Sequence, residues 1–288
     1  MDTLPAAPDA PPASTGPSNE AQSSPPDGDA PSARRSALDI PLARLRMSDP
    51  LRWLAAGWRD FLRCPGLGLF YGGCFAAMGW ALLAVFRHAP AWTLALSAGF
   101  LLMGPFLCLG LYEASRRLEE GQEPDLGDSL FVWQQSLGAM AIFGGVLLIL
   151  EMLWGRASLV VFAVSFDGMP DFRGSLAQLL AFDNLPFIVA YVAVGGVFAG
   201  LIYAVSVVSL PMILDRQVDA ITAGLTSLRL VLGQPVVMLW WGVCITVLVV
   251  LALLPWFLGL LVVGPVLGHA SWHAYRAAVP REAAAPST

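Results

Sequence analysis

The chain has 288 residues, 57% of them hydrophobic and 13% charged, with a formal net charge of −5 and a mean hydropathy of +0.67. A soluble domain carries about a quarter charged residues, so these values exclude one and define a polytopic membrane protein. All sixteen basic residues are arginine, the usage of a GC-rich bacterial genome, which excludes P-loop nucleotide binding, Schiff-base chemistry and pyridoxal phosphate anchoring.

Residues 1–40 are Pro, Ala, Ser and Asp with almost no large apolar side chain. Such a composition does not offset the entropy of ordering, so a disordered tail is expected over residues 1–45 and a second one over 278–288. The first tail lacks a basic stretch followed by an apolar one, so no secretory signal peptide is expected, and the first span serves as an uncleaved anchor. The domain between the tails runs over 46–277.

The first periodic segment places Leu51, Leu54, Trp58, Phe61 and Leu62 on one helical face and Arg52, Arg59 and Arg63 on another. Apolar side chains with an interfacial Trp and phosphate-reaching arginines predict a helix lying in the headgroup layer. Stretches long enough to cross about 30 Å of hydrocarbon follow at 64–86, 91–112, 137–153 or beyond, 185–214, 235–254 and 256–272. Short connections at 87–90 and around Pro255 make hairpins of the first and last pairs. A cytoplasmic N-terminus leaves only Arg87, Arg156 and Arg173 outside, so both termini are expected in the cytoplasm.

Gly99 to Arg116, GFLLMGPFLCLGLYEASR, aligns without a gap on Gly259 to Arg276, GLLVVGPVLGHASWHAYR. The shared Gly-Pro pair predicts helix kinks at Pro105 and Pro265, with a third at Pro211 in SVVSLPMILDR. A second amphipathic helix with Val218, Ile221, Leu225, Leu228 and Leu232 apolar, and Asp219, Thr226 and Arg229 polar, precedes the fifth span; a weaker one lies around 125–137. The expected fold is therefore all-α, with six transmembrane helices in three hairpin units, 50–117, 124–216 and 217–276, each preceded by an interfacial amphipathic helix. Two spans per unit keep one orientation, so the units are related by a pseudo-threefold axis along the membrane normal. Gly68/Gly72, Gly196/Gly200 and Gly264/Gly268 have the small-xxx-small spacing of close helix approach.

The segments DPLRWLAAGWRDFLRCPGLGLFYGG, AGFLLMGPFLCLGLYEASRRLEEG, SVVSLPMILDRQVDAITAGLTSLRLV and VVGPVLGHASWHAYR resemble the bacterial integral membrane family called domain of unknown function 2189. The resemblance covers approximately residues 45–277, and GHASWHAYR is its most specific part. It implies an inner-membrane protein with several helices and carries no catalytic residue. The histidines are too few and wrongly distributed for the haem and copper sites of a cytochrome oxidase subunit.

Polar residues concentrate where the even spans end. Glu113 and Arg116, Asp215 and Arg216, and His269, His273 and Arg276 are expected at one cytoplasmic level, where they would form a polar ring. His269 and His273, one turn apart, have the spacing of a transition-metal pair, with Glu113 or Asp215 as third ligand, but interfacial His and Arg more commonly cap helices, bind phosphate or pair with carboxylates. The four cysteines show no CxxC or ligand spacing, so no metal and no cofactor is expected. Glu151 is the intramembrane acid. Gly155 and Arg156 interrupt the apolar run, so an interfacial Glu151–Arg156 pair is expected; if one helix continues to Phe166, Glu151 instead lies near mid-membrane.

No catalytic set emerges, and the expected role is a non-enzymatic envelope protein, acting in scaffolding, assembly or lipid organisation. The alternatives are a transporter or channel for a small or lipid-like substrate and a metal- or haem-binding protein using the C-terminal histidines. Membrane lipids and a protein partner in the membrane are the expected partners; nucleic acid is not.

Overall fold

The structure is a computed structural model and describes residues 40–88, 93–165 and 184–281. The expected disorder of residues 1–39 and 282–288, and the conformation of residues 166–183, lie outside the described residues. Among the described residues every regular element is a helix.

Helix α1 (Asp49–Arg63) is followed by α2 (Pro65–His88) and α3 (Thr93–Glu119). A short α4 (Leu126–Phe131) and a 3-10 turn (Val132–Ser136) lead into α5 (Leu137–Ser165). The chain continues with α6 (Leu185–Ser206), α7 (Ser209–Arg216), α8 (Ala220–Gly233), α9 (Pro235–Leu253) and α10 (Leu260–Ala278). Cys64 separates α1 from α2 because the residue before a proline is driven out of the helical region, here to φ −130°, ψ 60°. Gln234, before Pro235, breaks α8 from α9 in nearly the same conformation, φ −137°, ψ 56°.

Four stretches among the described residues are long and apolar enough to cross a membrane: Pro65–His88, Leu126–Ser165, Leu185–Arg216 and Pro235–Leu253. Helices α3 and α10, the other two expected spans, are not among them. The last helix also starts later than the expected residue 256, because residues 254–259 form turns in which Trp256 and Phe257 adopt left-handed φ of 54° and 66°. That conformation costs a side-chain-bearing residue about 1–3 kcal/mol. It is held by the Trp80 Nε1 hydrogen bond to the Trp256 carbonyl (2.7 Å), by Arg87 over the Trp256 ring and by Phe257 packed on Gly79.

Helix α10 is the hub of the bundle rather than a lipid-facing span. His269, Ala270, Trp272 and Tyr275 are all 0% exposed. A Cβ added to Gly57 of α1 would lie 2.5 Å from the Val266 carbonyl oxygen, and one on Gly72 of α2 would lie 2.1 Å from that of Leu261. The second contact has a specific cause: Pro265 has no N–H, so the Leu261 carbonyl four residues back loses its helical donor. The glycine backbone of α2 covers that oxygen, close enough for Cα–H contact. Gly68, Gly264 and Gly268 also meet side chains at close range, whereas Gly196 and Gly200 have nothing within 4 Å, so the small-residue spacing operates in two of the three expected pairs.

Pro105 and Pro265 lie inside continuous helices. At Pro211, where a kink is expected, the helix is broken in the turn before the proline: it ends at Ser206 and restarts at Ser209, leaving Pro211 in the first turn of α7 where its missing N–H has no helical role. Helix α5 runs unbroken through Gly155 and Arg156, which corrects the expected interruption: a single glycine costs a helix only about 1 kcal/mol.

The tail boundaries also move. Residues 40–45 are held against the bundle, with Ile40 buried, the Leu45 N–H donating to Gln234 Oε1 (2.7 Å), Gln234 Nε2 donating to the Ala43 carbonyl (2.8 Å) and the Ala43 N–H donating to the Ala278 carbonyl (2.9 Å). Beyond the end of α10, Val279 is buried and Arg216 donates to the Val279 and Pro280 carbonyls.

Candidate functional site

Helix α1 has three faces, not two. Trp53, Gly57 and Asp60 recur at helical spacing and are buried, Trp53 edge-on to Trp241 of α9 and the other two against α10; Leu51, Trp58 and Leu62 are exposed, and the arginines take the remainder. The close approach at Gly57 carries Asp60, only 5% exposed, to the polar half of α10.

There Asp60 Oδ2 accepts from Ser115 Oγ (2.9 Å) and from His273 Nε2 (2.7 Å). The single hydroxyl proton of Ser115 goes to the carboxylate, so His269 Nδ1, 2.7 Å from the same oxygen, is the donor of its pair with Ser115. On its other side His273 Nδ1 lies 3.8 Å from Glu119, which pairs with Arg276 Nε at 3.1 Å. Arg276 in turn approaches Asp215 (3.9 Å), and Asp215 accepts from Tyr275 Oη (2.6 Å), which accepts from Arg216 Nε (3.2 Å). One continuous polar chain thus joins α1, α3, α7 and α10. Burial pushes the Asp60 carboxyl up, but the His273 hydrogen bond and charge, the Ser115 hydroxyl and the charge of His269 together hold it below its ordinary value of 3.8.

Of the residues expected in a ring, Asp215, Arg216, His269, His273 and Arg276 belong to this chain. Glu113 and Arg116 form a separate local branch: Glu113 pairs with Arg116 (2.7 Å) and Arg117 (3.1 Å), and Arg117 continues to Asp128 at the start of α4. Sequence reasoning missed Asp60, Ser115, Glu119 and Tyr275. The 53, 57, 60 spacing on α1 was the available signal for the first, and Ser115 carried none. His269 and His273 each turn a ring nitrogen to Ser115 and Asp60 instead of converging, and among the described residues no three His, Cys, Asp or Glu side chains are placed to hold a metal ion.

Glu151 is the fifteenth of 29 residues of α5 and forms no ion pair with Arg156 or with any other described residue, so the expected interfacial pairing is replaced by a mid-helix carboxyl.

Chemically, the cluster is a clamp. Every carboxylate in it is engaged by a cation, an imidazole or a hydroxyl, and Ser115 and His269 are 0% exposed. The hydroxyl hydrogen faces Asp60 and not the imidazole, opposite to the arrangement that activates a serine nucleophile. Tyr275→Phe removes the link between Asp215 and Arg216, hydrogen bonds to charged groups being worth about 1.5–3 kcal/mol each. A lowered thermal midpoint of the detergent-solubilised protein, with unchanged helical circular dichroism before melting, is the expected result.

Long apolar helices around a buried polar clamp, with large apolar side chains turned outward, define an α-helical integral membrane protein. Residues 93–215 match the model of the family described as Predicted integral membrane protein (DUF2189), which bears out the family resemblance over that stretch, while GHASWHAYR, its expected most specific part, lies outside the match. The match spans α3 to α7 and leaves α1, α2 and α8 to α10 outside it. No curated protein and no solved structure matches the chain.

Proposed function

We propose that this protein is a non-enzymatic, lipid-organising element of the bacterial inner membrane. The observation that carries the reading is the outward face of its short helices. Leu51, Trp58 and Leu62 on α1, and Ile221, Leu225 and Leu232 on α8, are exposed, and arginines flank the α1 group. In a headgroup layer these side chains enter the acyl boundary while Arg52, Arg59 and Arg63 meet anionic phosphates. The Asp60 clamp fixes α1 to the bundle, so this belt is a permanent part of the molecule.

Six spans in three units remain our reading of the topology, with α3 and α10 as the additional crossings and both termini cytoplasmic. The near-identical breaks at Cys64 and Gln234 support equivalence of the outer units. The concentration of Arg116, Arg117, Arg216, Arg276 and Arg281 around the polar cluster supports its cytoplasmic placement. Transport has less support, because the apolar cavity described below is lined by neither Glu151 nor the polar chain.

Lipid selectivity tests the reading. In vesicles of phosphatidylcholine and phosphatidylglycerol, spin-labelled phosphatidylglycerol is expected to be enriched in the motionally restricted shell. Arg52→Gln, Arg59→Gln and Arg63→Gln together remove most of that enrichment, each arginine contributing about 1 kcal/mol at an anionic surface. Equal restriction of the two lipids by the wild type would overturn it.

A further inference from the structure

A cavity of about 420 Å³ lies between α2, α3 and the segment formed by α4 and the 3-10 turn. Along α3 its wall runs from Gly99 to Leu109, roughly 15 Å at the rise of a helix, so the space is elongated along the helix axis. Met103, Leu130 and Trp133 on its wall are exposed, which opens the cavity sideways to the hydrocarbon around the bundle. Its polar lining is confined to Tyr71 and Ser129, whose hydroxyls bond each other at 3.0 Å and ask nothing of an occupant. Asp128, next to Ser129 in the chain, pairs with Arg117, which also pairs with Glu113, so an ion-paired guanidinium is tied to the residue adjoining the polar end of the apolar space.

We propose that this cavity holds one acyl chain of a membrane phospholipid, with the headgroup beside Arg117. The space is apolar and extends along α3, it opens to bulk hydrocarbon, and Arg117 beyond its polar end, though paired with Glu113 and Asp128, has guanidinium donors left for a phosphate. The inference deepens the lipid-organising reading and rests on it for the identity of the ligand class: it adds a resident lipid to a surface belt.

Gly99 provides a test, since it lines the cavity and a Cβ built there meets nothing within 4 Å, so a phenylalanine is accommodated at its branch point and brings its bulk to the cavity wall. The full chain is reconstituted into vesicles of phosphatidylcholine and phosphatidylglycerol, extracted in mild detergent and weighed by native mass spectrometry. Wild type and Val197→Phe, altered at an exposed position on α6, are expected to retain one phospholipid. Gly99→Phe and Met103→Trp lose it; excluding even two methylenes lowers retention about tenfold. Folded Gly99→Phe and Met103→Trp proteins that retain phospholipid as the wild type does would overturn the proposal, as would a retained mass equal to a free fatty acid or to a second copy of the chain. Spin-label selectivity on the same samples separates the two ideas. Unchanged retention in Gly99→Phe with selectivity intact removes the cavity alone; retention lost in that variant while the wild type shows no selectivity removes the belt alone.

Discussion

Gly72→Val is expected to prevent recovery of a monodisperse, folded protein from the membrane. A Cβ at this position lies 2.1 Å from the Leu261 carbonyl oxygen, with the Leu261 carbonyl carbon and Cα also under 3 Å away. These are backbone atoms of the central helix, and they cannot swing aside as a side chain does. Overpacking against movable side chains costs about 1–3 kcal/mol, and separation of α2 from α10 would add lost packing and expose the carbonyl that Pro265 leaves without a donor. Gly73→Val, one residue on with nothing within 4 Å, is the matched control and stays folded. Size-exclusion elution and circular dichroism of the two variants side by side check the contrast; equal behaviour would mean that α2 does not cross α10 at Gly72.

Asp60→Ala carries the second large effect. It removes the one carboxylate that accepts from both Ser115 and His273 in a site almost closed to solvent. Breaking a buried pair from one side costs about 3–5 kcal/mol, read as a fall in the thermal midpoint in detergent. Asp60→Asn, which keeps the shape and one acceptor, falls between wild type and alanine. The pH dependence has a fixed sign. The folded carboxyl titrates below 3.8, so the stability it contributes is complete above that pH and is lost as pH falls through the folded value. Wild type therefore loses stability on acidification below about pH 4 more steeply than Asp60→Asn, and parallel acid melting curves would show that Asp60 is not the group responsible.

The long helices were legible because length and apolarity are local properties, and α2, α5, α6 and α9 need nothing else to be recognised. What sequence patterning misjudged was the inward face of the short helices. On α8 the large apolar side chains Ile221, Leu225 and Leu232 point outward, while Thr226 and Ser227 are fully buried and bonded to the carbonyls of Thr222 and Ala204. Where lipid is as apolar as the core, burial selects residues that pack closely or find a hydrogen bond, not residues that are hydrophobic. The same inversion hid Asp60, because sorting α1 into an apolar face and an arginine face left no place for an acid turned inward. The cluster on α10 was partly legible, since GHASWHAYR announces polar groups near a helix end. Their partners on α1 and α3 are set by tertiary contacts at Gly57 and Gly268 that one segment alone does not encode. Glu151 followed a different logic: continuity of α5 depends on backbone hydrogen bonds that Gly155 and Arg156 do not interrupt.

The hydrogen bond from Ala43 to Ala278 fastens the chain's entry into the bundle to its exit from it. Whatever precedes Ile40 and whatever follows Arg281 are attached to neighbouring points on one side of the molecule. A label fused through a linker at either point would therefore explore nearly the same volume, its reach set by linker length alone.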